Sequence, residues 1–595
     1  MRTLALGSAA WWLATLVASA QNPVILISVD TLRADHLGIY GYRRLATPNI
    51  DSFARGGTVF DAISCQVPLT LPSHTALFTS QYPFATHLEE NDGRVPAGIT
   101  TLAGVLRSHG YRTAAFVGSA LLDRRLGLDQ GFDFYDSPFG GSSGEPRNPL
   151  AGGVRRDGAL VVRAARQWLG ENHGQPVFAF LHFFDLHAPY SHAASASALP
   201  STPGYDREIE YVDGLLGQFQ QALVAGGWWD RSLVILLSDH GESLGDHGET
   251  SHGYFLYQST LRTPLILHWP AGTAGFPERA GQPGGLIDVA PTILDFLKLP
   301  IPPQFSGASL LPAARSGKDD GRVVVSESVY PRDAFHWAPL RGIRMGAYQY
   351  IDAPKPELYD LSRDPEERHN LVSDNGAVAG KLRGRLAEIL AGAKAETNAT
   401  GKSAGQAASA RISAQRRRTL ESLGYLSGAS SGSAPAADPK DKLPEYNLFE
   451  NSLASMYAGR YQEAIGGFRK LLAGDSRNSM ARYYLGDACL RAGQSASALR
   501  EWENALQSDP EYVPAAEALG AWWMGRGDYA KARGYFQKAL AAEPQDSAAL
   551  AEEGVAEERL GLLREALEHL EDACRLAPDL PQCKRDLEAV RGKLH

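Results

Sequence analysis

Cysteine is scarce in this chain, which has only four cysteines among its 595 residues. Cys65 stands alone in the first two-thirds, whereas Cys489, Cys574 and Cys583 lie towards the C-terminus. This spacing excludes a dense disulfide framework and a clustered cysteine metal site. Cys574 and Cys583 are the candidates for a single disulfide if the chain reaches an oxidising compartment.

Basic residues are outnumbered by acidic ones: the chain has 58 lysine and arginine residues and 67 aspartate and glutamate residues. The formal net charge of −9 at pH 7 argues against a general nucleic-acid binder, so no nucleic-acid partner is expected. Hydrophobic residues make up 44% of the chain and charged residues 21%, which excludes global disorder. The length is too great for one compact domain, and two or three domains are expected.

Long apolar runs are lacking beyond the N-terminus. Residues 1–20 contain one arginine, an apolar stretch and then Ala18-Ser19-Ala20, which is a small-x-small cleavage pattern. The pattern predicts a signal peptide and a secreted or periplasmic protein; the alternatives are an uncleaved anchor or a buried N-terminal strand. Because the run is short for a membrane span, we expect no integral membrane segment after cleavage.

The C-terminal part of the chain repeats every 34 residues in three series of positions. The series are Gly459, Gly493, Gly527 and Gly561; Ala464, Ala498, Ala532 and Ala566; and Phe468, Trp502, Phe536 and Leu570. Small residues at turns and helix crossings, with large apolar residues between them, predict helix–turn–helix units. The series resemble the tetratricopeptide repeat (TPR) family, with four units and a capping helix over residues 443–595. The resemblance implies an all-α superhelix whose concave groove binds a protein or peptide partner.

Residues 21–395 alternate short apolar runs with amphipathic stretches, which is typical of an α/β domain. Three runs are almost entirely apolar, at residues 23–29, 176–184 and 232–238, and predict strands of a sheet covered on both faces. Acids and histidines follow all three runs: Asp30; Asp185 and His187; Asp239 and His240. Because ligands of such sheets bind beyond the carboxyl ends of the strands, we expect an active site at this edge.

The two parts are joined by residues 396–442, which we interpret as a flexible linker. The stretch SGASSGSAPAADPKDK at the end of this segment is rich in small residues and proline. A linker of this composition predicts that the two parts move independently.

Asp30, Thr70, Asp239 and His240 offer carboxylate, hydroxyl and imidazole ligands, which suit a divalent cation such as zinc, manganese, magnesium or calcium. Thr70 lies in the stretch VPLTLPSHTALFTS, just before a helix predicted to start near Pro72. It is either an ordinary capping neighbour or a nucleophile at a helix end that binds an anion. A bound cation would lower the pKa of its hydroxyl and favours the second interpretation.

Seven motifs, in their order along the chain, resemble the sulfatase family of the alkaline phosphatase superfamily. They are PVILISVDTLRADHLGIYGY, TLPSHTALFTSQYP, FFDLHAPY, SDHGESLGDHGE, LRTPLILHWP, IDVAPTILDFL and ELYDLSRDPEERHNL. The resemblance implies an alkaline-phosphatase-like α/β sandwich, that is, a mixed sheet with helices on both faces, and a smaller subdomain at residues 321–395. It also implies a hydrolase of anionic esters with one or two metal ions.

The same resemblance assigns roles residue by residue. The metal ligands are Asp30, Asp239 and His240, and Thr70 occupies the nucleophile position and adds a metal-binding oxygen. His187 matches a histidine that contacts the scissile group or the leaving oxygen. His252 lies near the place of a family lysine that holds sulfate, and in two-metal relatives a histidine in this part of the chain binds the second ion. We therefore predict that Thr70, His187 and His252 are catalytic.

Four departures from the family pattern bear on the substrate. A sulfatase nucleophile is a formylglycine made from cysteine or serine, and Thr70 cannot become that aldehyde. His74 replaces the signature arginine, Thr31 replaces the second of two paired aspartates, and Ser119 follows Gly118 where the family often has lysine. A threonine nucleophile resembles the superfamily's phosphodiesterases and phospholipid head-group transferases, which pass through a phosphothreonine.

These departures rank the functional hypotheses. The first is a hydrolase of phosphoric esters that acts through Thr70. The alternatives are a sulfuric ester hydrolase without formylglycine, a phospho-head-group transferase, and a degenerate scaffold in which the repeats are the working part. Near the site, we expect Asp246 and His247 to shape a loop and His182 to be a core histidine. Asp185 is either a second-metal ligand or a residue that orders a loop.

Overall fold

A computed structural model describes residues 22–139, 155–190, 192, 202–399, 437–544, 546–576 and 581–594. The predicted signal peptide at residues 1–20 and residues 400–436 of the predicted linker lie outside the described residues. Within the described ranges, no helix combines the length and the hydropathy that a membrane span needs.

The N-terminal part is built on a nine-stranded mixed sheet, in the order β4-β3-β5-β1-β6-β7-β2-β8 with β9 also paired to β2. The strands are β1 (Val24–Val29), β2 (Gly57–Ser64), β3 (Arg112–Phe116), β4 (Phe134–Asp136), β5 (Val177–Phe183), β6 (Leu233–Leu237), β7 (Arg262–His268), β8 (Arg279–Ala280) and β9 (Gly284–Gly285). β1 lies between β5 and β6 and is parallel to both, whereas β7 is antiparallel to β6 and β2. The three apolar runs are therefore strands, as predicted, and the structure places them side by side in the order β5-β1-β6.

Helices cover both faces of this sheet. They are α1 (Pro48–Phe53), α2 (Thr70–Thr79), α3 (Pro83–Thr86), α4 (Leu102–Ser108), α5 (Gly158–Glu171), α6 (Thr202–Ala225), α7 (Gln258–Leu261), α8 (Val289–Phe296), α9 (Leu311–Ser316) and α10 (Tyr330–Phe335). Successive β1 residues enter different clusters: Val24 and Leu26 pack in the cluster that contains α2 and α4 residues. Ile25 and Ile27 pack in the cluster that contains α5 and α6 residues. Burial on both faces explains why β1 is almost entirely apolar and confirms the predicted α/β sandwich.

A smaller subdomain follows, from β10 to α11. It is an antiparallel sheet in the order β10-β11-β12-β13. Its elements are β10 (Val323–Ser328), β11 (Leu340–Met345), β12 (Tyr348–Asp352), β13 (Glu357–Asp360) and the helix α11 (Gly376–Ala399). Leu382 and Leu386 of α11 pack on Val325 and Ile343 of this sheet.

The C-terminal part consists of four helix pairs and a final helix, as the repeat pattern predicts. The helices are α12 (Leu443–Tyr457), α13 (Tyr461–Gly474), α14 (Ser479–Arg491), α15 (Ser495–Ser508), α16 (Val513–Met524), α17 (Tyr529–Ala542), α18 (Ser547–Leu560), α19 (Leu563–Leu576) and α20 (Pro581–Leu594). The glycines of the first series, such as Gly493 at φ 78°, have left-handed backbone at the turn within each pair. A Cβ atom at Gly486 would lie 2.4 Å from the Trp502 side chain, so glycine lets the two helices approach closely.

The predicted independence of the two parts is not what the structure shows. The last residues of the predicted linker form a 3-10 helix, Pro439–Lys442, that rests on the small subdomain. Lys440 pairs with Glu357 at 2.8 Å, and the Ala338 N–H donates to the Ala437 carbonyl at 2.9 Å. The hydrophobic core also runs on without a break into α12. Composition alone suggested flexibility because it does not reveal these long-range contacts.

Candidate active site

The carboxyl ends of β1 and β6 place two acids beside each other at one edge of the sheet. Asp30 directly follows β1, and Asp239 and His240 lie two and three residues beyond β6. Thr70 reaches the same place from the start of α2. All four side chains are 0% exposed. The structure thus brings together the four residues that the sequence analysis selected as metal ligands, because parallel neighbouring strands end at the same edge.

Thr70 is the first residue of α2, two positions earlier than the sequence suggested. The residue before it, Leu69, occupies the capping position and makes no side-chain capping bond. The Thr70 hydroxyl instead donates to Asp30 Oδ2 over 3.2 Å. The next backbone N–H, of Leu71, donates to Asn91 Oδ1 at 2.8 Å. Thr70 is therefore directed at the acids of the site and does not act as a cap.

Three ligand atoms of this cluster have no hydrogen bond within the described residues. They are Asp30 Oδ1, Asp239 Oδ2 and His240 Nε2, and all three are buried. The three residues offer ligand atoms within 4.8 Å of one another. Buried polar atoms are almost always paired, so a group of unpaired ligand atoms that face one another fits a bound cation. Two carboxylates, an imidazole and a nearby hydroxyl are the donor set of a divalent ion.

The electrostatics of the cluster also fit a cation. Burial alone would raise the pKa of Asp30, but the hydrogen bond from His182 and the neighbouring histidines outweigh burial and hold the pKa below its ordinary value. Burial, helped by the charge of Asp30, raises the pKa of Asp239 well above its ordinary value. Two buried carboxyls that lie this close oppose each other's ionisation. A divalent cation would allow both to ionise.

His240 presents the right nitrogen for such an ion. Its Nδ1–H donates to the Gly241 carbonyl at 2.9 Å, which leaves Nε2 with its lone pair. Burial, together with the nearby His252, lowers the pKa of His240 to about 3, so the ring is neutral at pH 7. A neutral imidazole is the form that binds metal ions.

His187 and His252 lie beside the cluster and contact each other. The His252 ring centre is 4.4 Å from that of His240 and 5.2 Å from that of His187. His187 Nδ1 is 2.7 Å from the Ala188 carbonyl, and burial lowers the pKa of His187 to about 3. His252 Nδ1 is 3.1 Å from the carboxylate of Glu242. The Glu242 carboxylate therefore orients the His252 ring.

Thr31 lies where the sulfatase pattern has a second aspartate, and its backbone is unusual. Its φ of 58° is in the left-handed region, which a β-branched residue rarely adopts. The Thr31 N–H is 3.4 Å from Asp239 Oδ1, and the Thr31 carbonyl accepts the Tyr205 hydroxyl at 2.6 Å. These bonds hold the strained backbone, which turns the chain directly after Asp30.

The positions that match sulfate-holding residues of the family make other contacts here. His74 Nδ1 is 2.7 Å from the Thr70 carbonyl and His74 Nε2 is 3.0 Å from the Ser28 hydroxyl. Burial lowers the pKa of His74 to about 3, so it carries no positive charge at pH 7. The Ser119 hydroxyl accepts the Leu121 N–H and caps a 3-10 helix.

Four site residues were missed or misread from the sequence. His182, predicted to be an ordinary core histidine, lies 3.2 Å from Asp30 Oδ2 and orients that carboxylate. Asn91 contacts the start of α2, Glu242 pairs with His252, and Arg155 donates to the carbonyls of Phe184 (3.1 Å) and His187. The role of His182 could have been predicted from the sequence, because it lies in the strand beside Asp30. The other three act through loops whose meeting the sequence does not reveal.

Asp185 orders a loop in the described structure. Its Oδ1 accepts the Gly158 N–H at 3.1 Å at the start of α5, and it is not among the residues that cluster with metal-binding geometry. Asp246 pairs with Arg33 at 2.8 Å, and the His247 ring stacks on Tyr257, so both shape the loop as predicted.

Comparison with known families agrees with this geometry. Residues 22–299 match the sulfatase family, and residues 245–392 match the C-terminal region of N-sulphoglucosamine sulphohydrolase. The chain carries a sulfatase-family domain. Residues 449–513 and 524–581 match tetratricopeptide repeats. The two resemblances seen in the sequence are thereby confirmed, and the sulfatase-family domain is that of an ester hydrolase of the alkaline phosphatase superfamily.

Individual relatives include enzymes of more than one ester class. The chain is 23% identical over 418 residues to a Delta 4,5-hexuronate-2-O-sulfatase of Bacteroides thetaiotaomicron, covering 59% of this chain and 84% of that protein. It is 33% identical over 193 residues to the multifunctional alkaline phosphatase superfamily protein PehA of Trinickia caryophylli, covering 29% of this chain and 36% of that protein. A phosphonate monoester hydrolase of Agrobacterium radiobacter shares the fold, with a TM-score of 0.50 and 22% identity over 62% of this chain and 96% of that chain.

Proposed function

We propose that this sulfatase-family protein hydrolyses phosphoric esters through a covalent intermediate on Thr70, with the help of a divalent cation. The observation that carries the proposal is the position of the Thr70 hydroxyl. It is buried, it makes no capping bond, and it lies 3.2 Å from Asp30 in the cluster whose ligand atoms are unpaired.

Asp30, Asp239 and His240 would hold the cation, with Thr70 beside it. When bound, the ion supplies positive charge that lowers the pKa of the Thr70 hydroxyl and offsets the charge of the ester. The donor set suits zinc or manganese and is compatible with magnesium or calcium. Among the described residues, this cluster would hold one ion at this edge of the sheet.

The chain's own residues account for the proton movements. The Thr70 hydroxyl passes its proton towards Asp30 Oδ2 as Thr70 Oγ1 bonds to phosphorus, and the bond between phosphorus and the leaving oxygen breaks. The leaving oxygen takes a proton from His252, whose ring Glu242 orients. His187, neutral at pH 7, contacts the ester. Water then attacks phosphorus and gives a proton to His252, and the bond to Thr70 breaks as Thr70 Oγ1 recovers its proton from Asp30.

Phosphorus is favoured over sulfur by the identity of the side chains around the nucleophile. Threonine cannot form the formylglycine aldehyde, and His74 and Ser119 occupy positions of sulfate-holding cations while carrying no positive charge. The sulfuric ester hydrolase remains the second candidate, because a relative named as a sulfatase aligns over 84% of its length. An acceptor alcohol in place of water would make the protein a head-group transferase. The intact ligand cluster argues against a degenerate scaffold.

The proposal includes export to an oxidising compartment and a protein or peptide partner for the repeat groove. Export is supported by the cleavage pattern of residues 1–20 and by the disulfide between Cys574 and Cys583. Disulfides persist in secreted and periplasmic proteins and are rare in the cytosol. The partner is supported by the four repeat pairs, since stacked repeats form a concave binding surface.

The test is hydrolysis of paired chromogenic esters by the purified full-length chain. A phosphate diester, a phosphate monoester and a sulfate monoester are each assayed with zinc, manganese, magnesium or calcium. We expect metal-dependent turnover of a phosphate ester that Thr70→Val abolishes. Thr75→Val is the matched control, because Thr75 lies buried on the same helix and bonds only back to Leu71. Sulfate turnover that requires Thr70 would overturn the choice of phosphorus.

A further inference from the structure

The segment that carries His252, residues 242–257, has little regular structure of its own. It contains one 3-10 turn, Asp246–Gly248, and several left-handed residues, such as Gly253 at φ 95°. We call this segment the His252 loop. Since a loop without a helix or strand takes its shape from its surroundings, the position of His252 depends on what packs against the loop.

The first half of the His252 loop is held by the sulfatase-family domain. The Arg33 guanidinium donates to the carbonyls of Glu242 at 3.0 Å and Ser243 at 3.1 Å, and it pairs with Asp246. These bonds fix the start of the loop, including the backbone of Glu242. The Ser243 N–H in turn donates to the Ser251 carbonyl at 2.9 Å, so this support reaches the residue before His252.

The second half is held by the first repeat helix, α12. The Asn447 amide donates to the Gly248 carbonyl at 2.8 Å, and its Oδ1 accepts the Thr250 hydroxyl at 3.3 Å. The Leu443 side chain also packs against Gly248, where a Cβ atom would lie only 2.7 Å from it. The chain before His252 is thus fixed to the repeats.

The chain after His252 is fixed from both sides: the Ser328 hydroxyl of β10 donates to the Gly253 carbonyl, and Tyr254 contacts the same repeat helix. The Tyr254 ring stacks on Tyr446 with centres 4.2 Å apart and planes within 10°, and both rings are buried. The Tyr254 hydroxyl donates to the Pro439 carbonyl at 2.8 Å. His252 is therefore bracketed, at Thr250 and Tyr254, by contacts with one element of the other domain.

We propose that Asn447 and Tyr446 of the TPR part are positioning residues for His252, so that the repeats complete the active site. This inference rests on the proposed function, in which His252 donates a proton to the leaving oxygen. Loss of either contact would let the loop move and would loosen the pairing of His252 with Glu242. A displacement of about 1 Å at a catalytic group costs on the order of 100-fold in rate.

The experiment uses the full-length chain and two phosphate diesters, one with a nitrophenol and one with an alkyl alcohol as the leaving group. Asn447→Ala and Tyr446→Leu remove the two contacts, and Tyr446→Phe restores the stacked ring. Asn451→Ala is the matched control, because Asn451 lies one turn further along α12 and its amide bonds only to the Asn447 carbonyl. Hydrogen exchange of residues 250–254 is measured in parallel.

We expect Asn447→Ala and Tyr446→Leu to lower kcat by about 10-fold to 100-fold on the alkyl ester and much less on the nitrophenyl ester. A good leaving group needs no proton, so this difference reports on His252 and would not arise from general destabilisation. KM should change little, and exchange at residues 250–254 should become faster. Tyr446→Phe should recover most of the activity that Tyr446→Leu loses, and Asn451→Ala should match the wild type.

Equal losses on both esters would overturn the inference, and so would unchanged exchange in Asn447→Ala. If the wild type hydrolyses neither ester, the proposed function fails, and hydrogen exchange alone decides whether the repeats hold the loop. Faster exchange in Asn447→Ala but not in Asn451→Ala would show that the repeats hold the loop. Equal exchange rates in the two variants would show that they do not.

Discussion

Two clusters, each of two acids and a histidine, lie in different parts of this molecule and differ in whether their ligand atoms are hydrogen-bonded. In the sulfatase-family domain, Asp30, Asp239 and His240 each leave a ligand atom without a hydrogen bond. In the repeats, Glu553, Glu557 and His569 have similar spacing.

The repeat cluster is satisfied by its neighbours. Arg533 Nε donates to Glu557 at 2.9 Å and lies 3.7 Å from Glu553, and His569 Nδ1 is 2.8 Å from the other oxygen of Glu557. An arginine already supplies the positive charge there, so the cluster joins adjacent repeat helices as an ion-pair network. Proximity of acids and a histidine therefore does not by itself indicate a metal site; the two clusters differ in whether their ligand atoms have hydrogen-bond partners.

The largest effect that separates the clusters is expected from matched carboxylate-to-amide substitutions. Asp239→Asn should reduce bound divalent metal to near zero and lower ester turnover by about 1,000-fold or more, because one ligand and its charge are lost. Glu557→Gln should leave metal content and turnover unchanged. It should instead lower the free energy of unfolding by about 1 to 2 kcal/mol, because charged hydrogen bonds are lost. Bound metal is measured by mass spectrometry, activity by ester turnover and stability by denaturant unfolding. Loss of metal in Glu557→Gln would contradict the distinction between the two clusters.

A smaller effect is expected at Glu450, a buried carboxyl of α12 with one oxygen that has no hydrogen bond; among the described residues it belongs to no group with metal-binding geometry. Burial raises the pKa of Glu450 to about 8. Between pH 4.5 and 8 the native state then binds a proton that the unfolded state releases, so stability falls as pH rises through this window. At 1.36 kcal/mol per pKa unit the upper limit is about 5 kcal/mol, and we expect about 1 to 3 kcal/mol because solvent relaxes the site.

Glu450→Gln should therefore raise Tm at pH 8, leave it nearly unchanged at pH 5 and flatten its dependence on pH. Glu445→Gln on the same helix is the control, since Glu445 pairs with Lys442 at the surface. An unchanged pH dependence in Glu450→Gln would show that this carboxyl is ionised in the native protein.

The smallest effect is expected at Asp185, which the sequence left open between metal ligand and loop residue. Burial raises the pKa of Asp185 to about 6, and its Oδ1 accepts one backbone N–H. Asn keeps that acceptor, so Asp185→Asn should change stability by less than about 1 kcal/mol and leave metal content intact. Metal analysis beside Asp30→Asn checks this expectation, and a loss of metal in Asp185→Asn would assign it to the site.

Much of the fold was predictable from the sequence because of buried parallel strands and repeat spacing. Strands that are almost entirely apolar indicated a doubly covered sheet, and acids placed directly after β1 and β6 must meet at one edge. The 34-residue series predicted the repeat helices for a similar reason, since each glycine lies where a local turn or a close helix crossing requires a small residue.

The rest depended on contacts between segments far apart in the chain. Glu242 and His252 meet because a loop folds back, and Tyr254 meets Tyr446 across 191 intervening residues. The spacing of apolar residues along the chain does not show that two such distant segments are in contact. The small residues before Pro439 suggested a free linker, whereas its last six residues dock on the small subdomain.

The most direct test of the central claim is to trap the intermediate on Thr70. The full-length chain is mixed with an aryl phosphate diester and metal, quenched in acid, digested and examined by mass spectrometry. The account predicts a phosphoryl adduct at Thr70 that is present in Thr75→Val and absent from Thr70→Val, which should also lose turnover. An adduct on another residue, or full turnover by Thr70→Val, would contradict it.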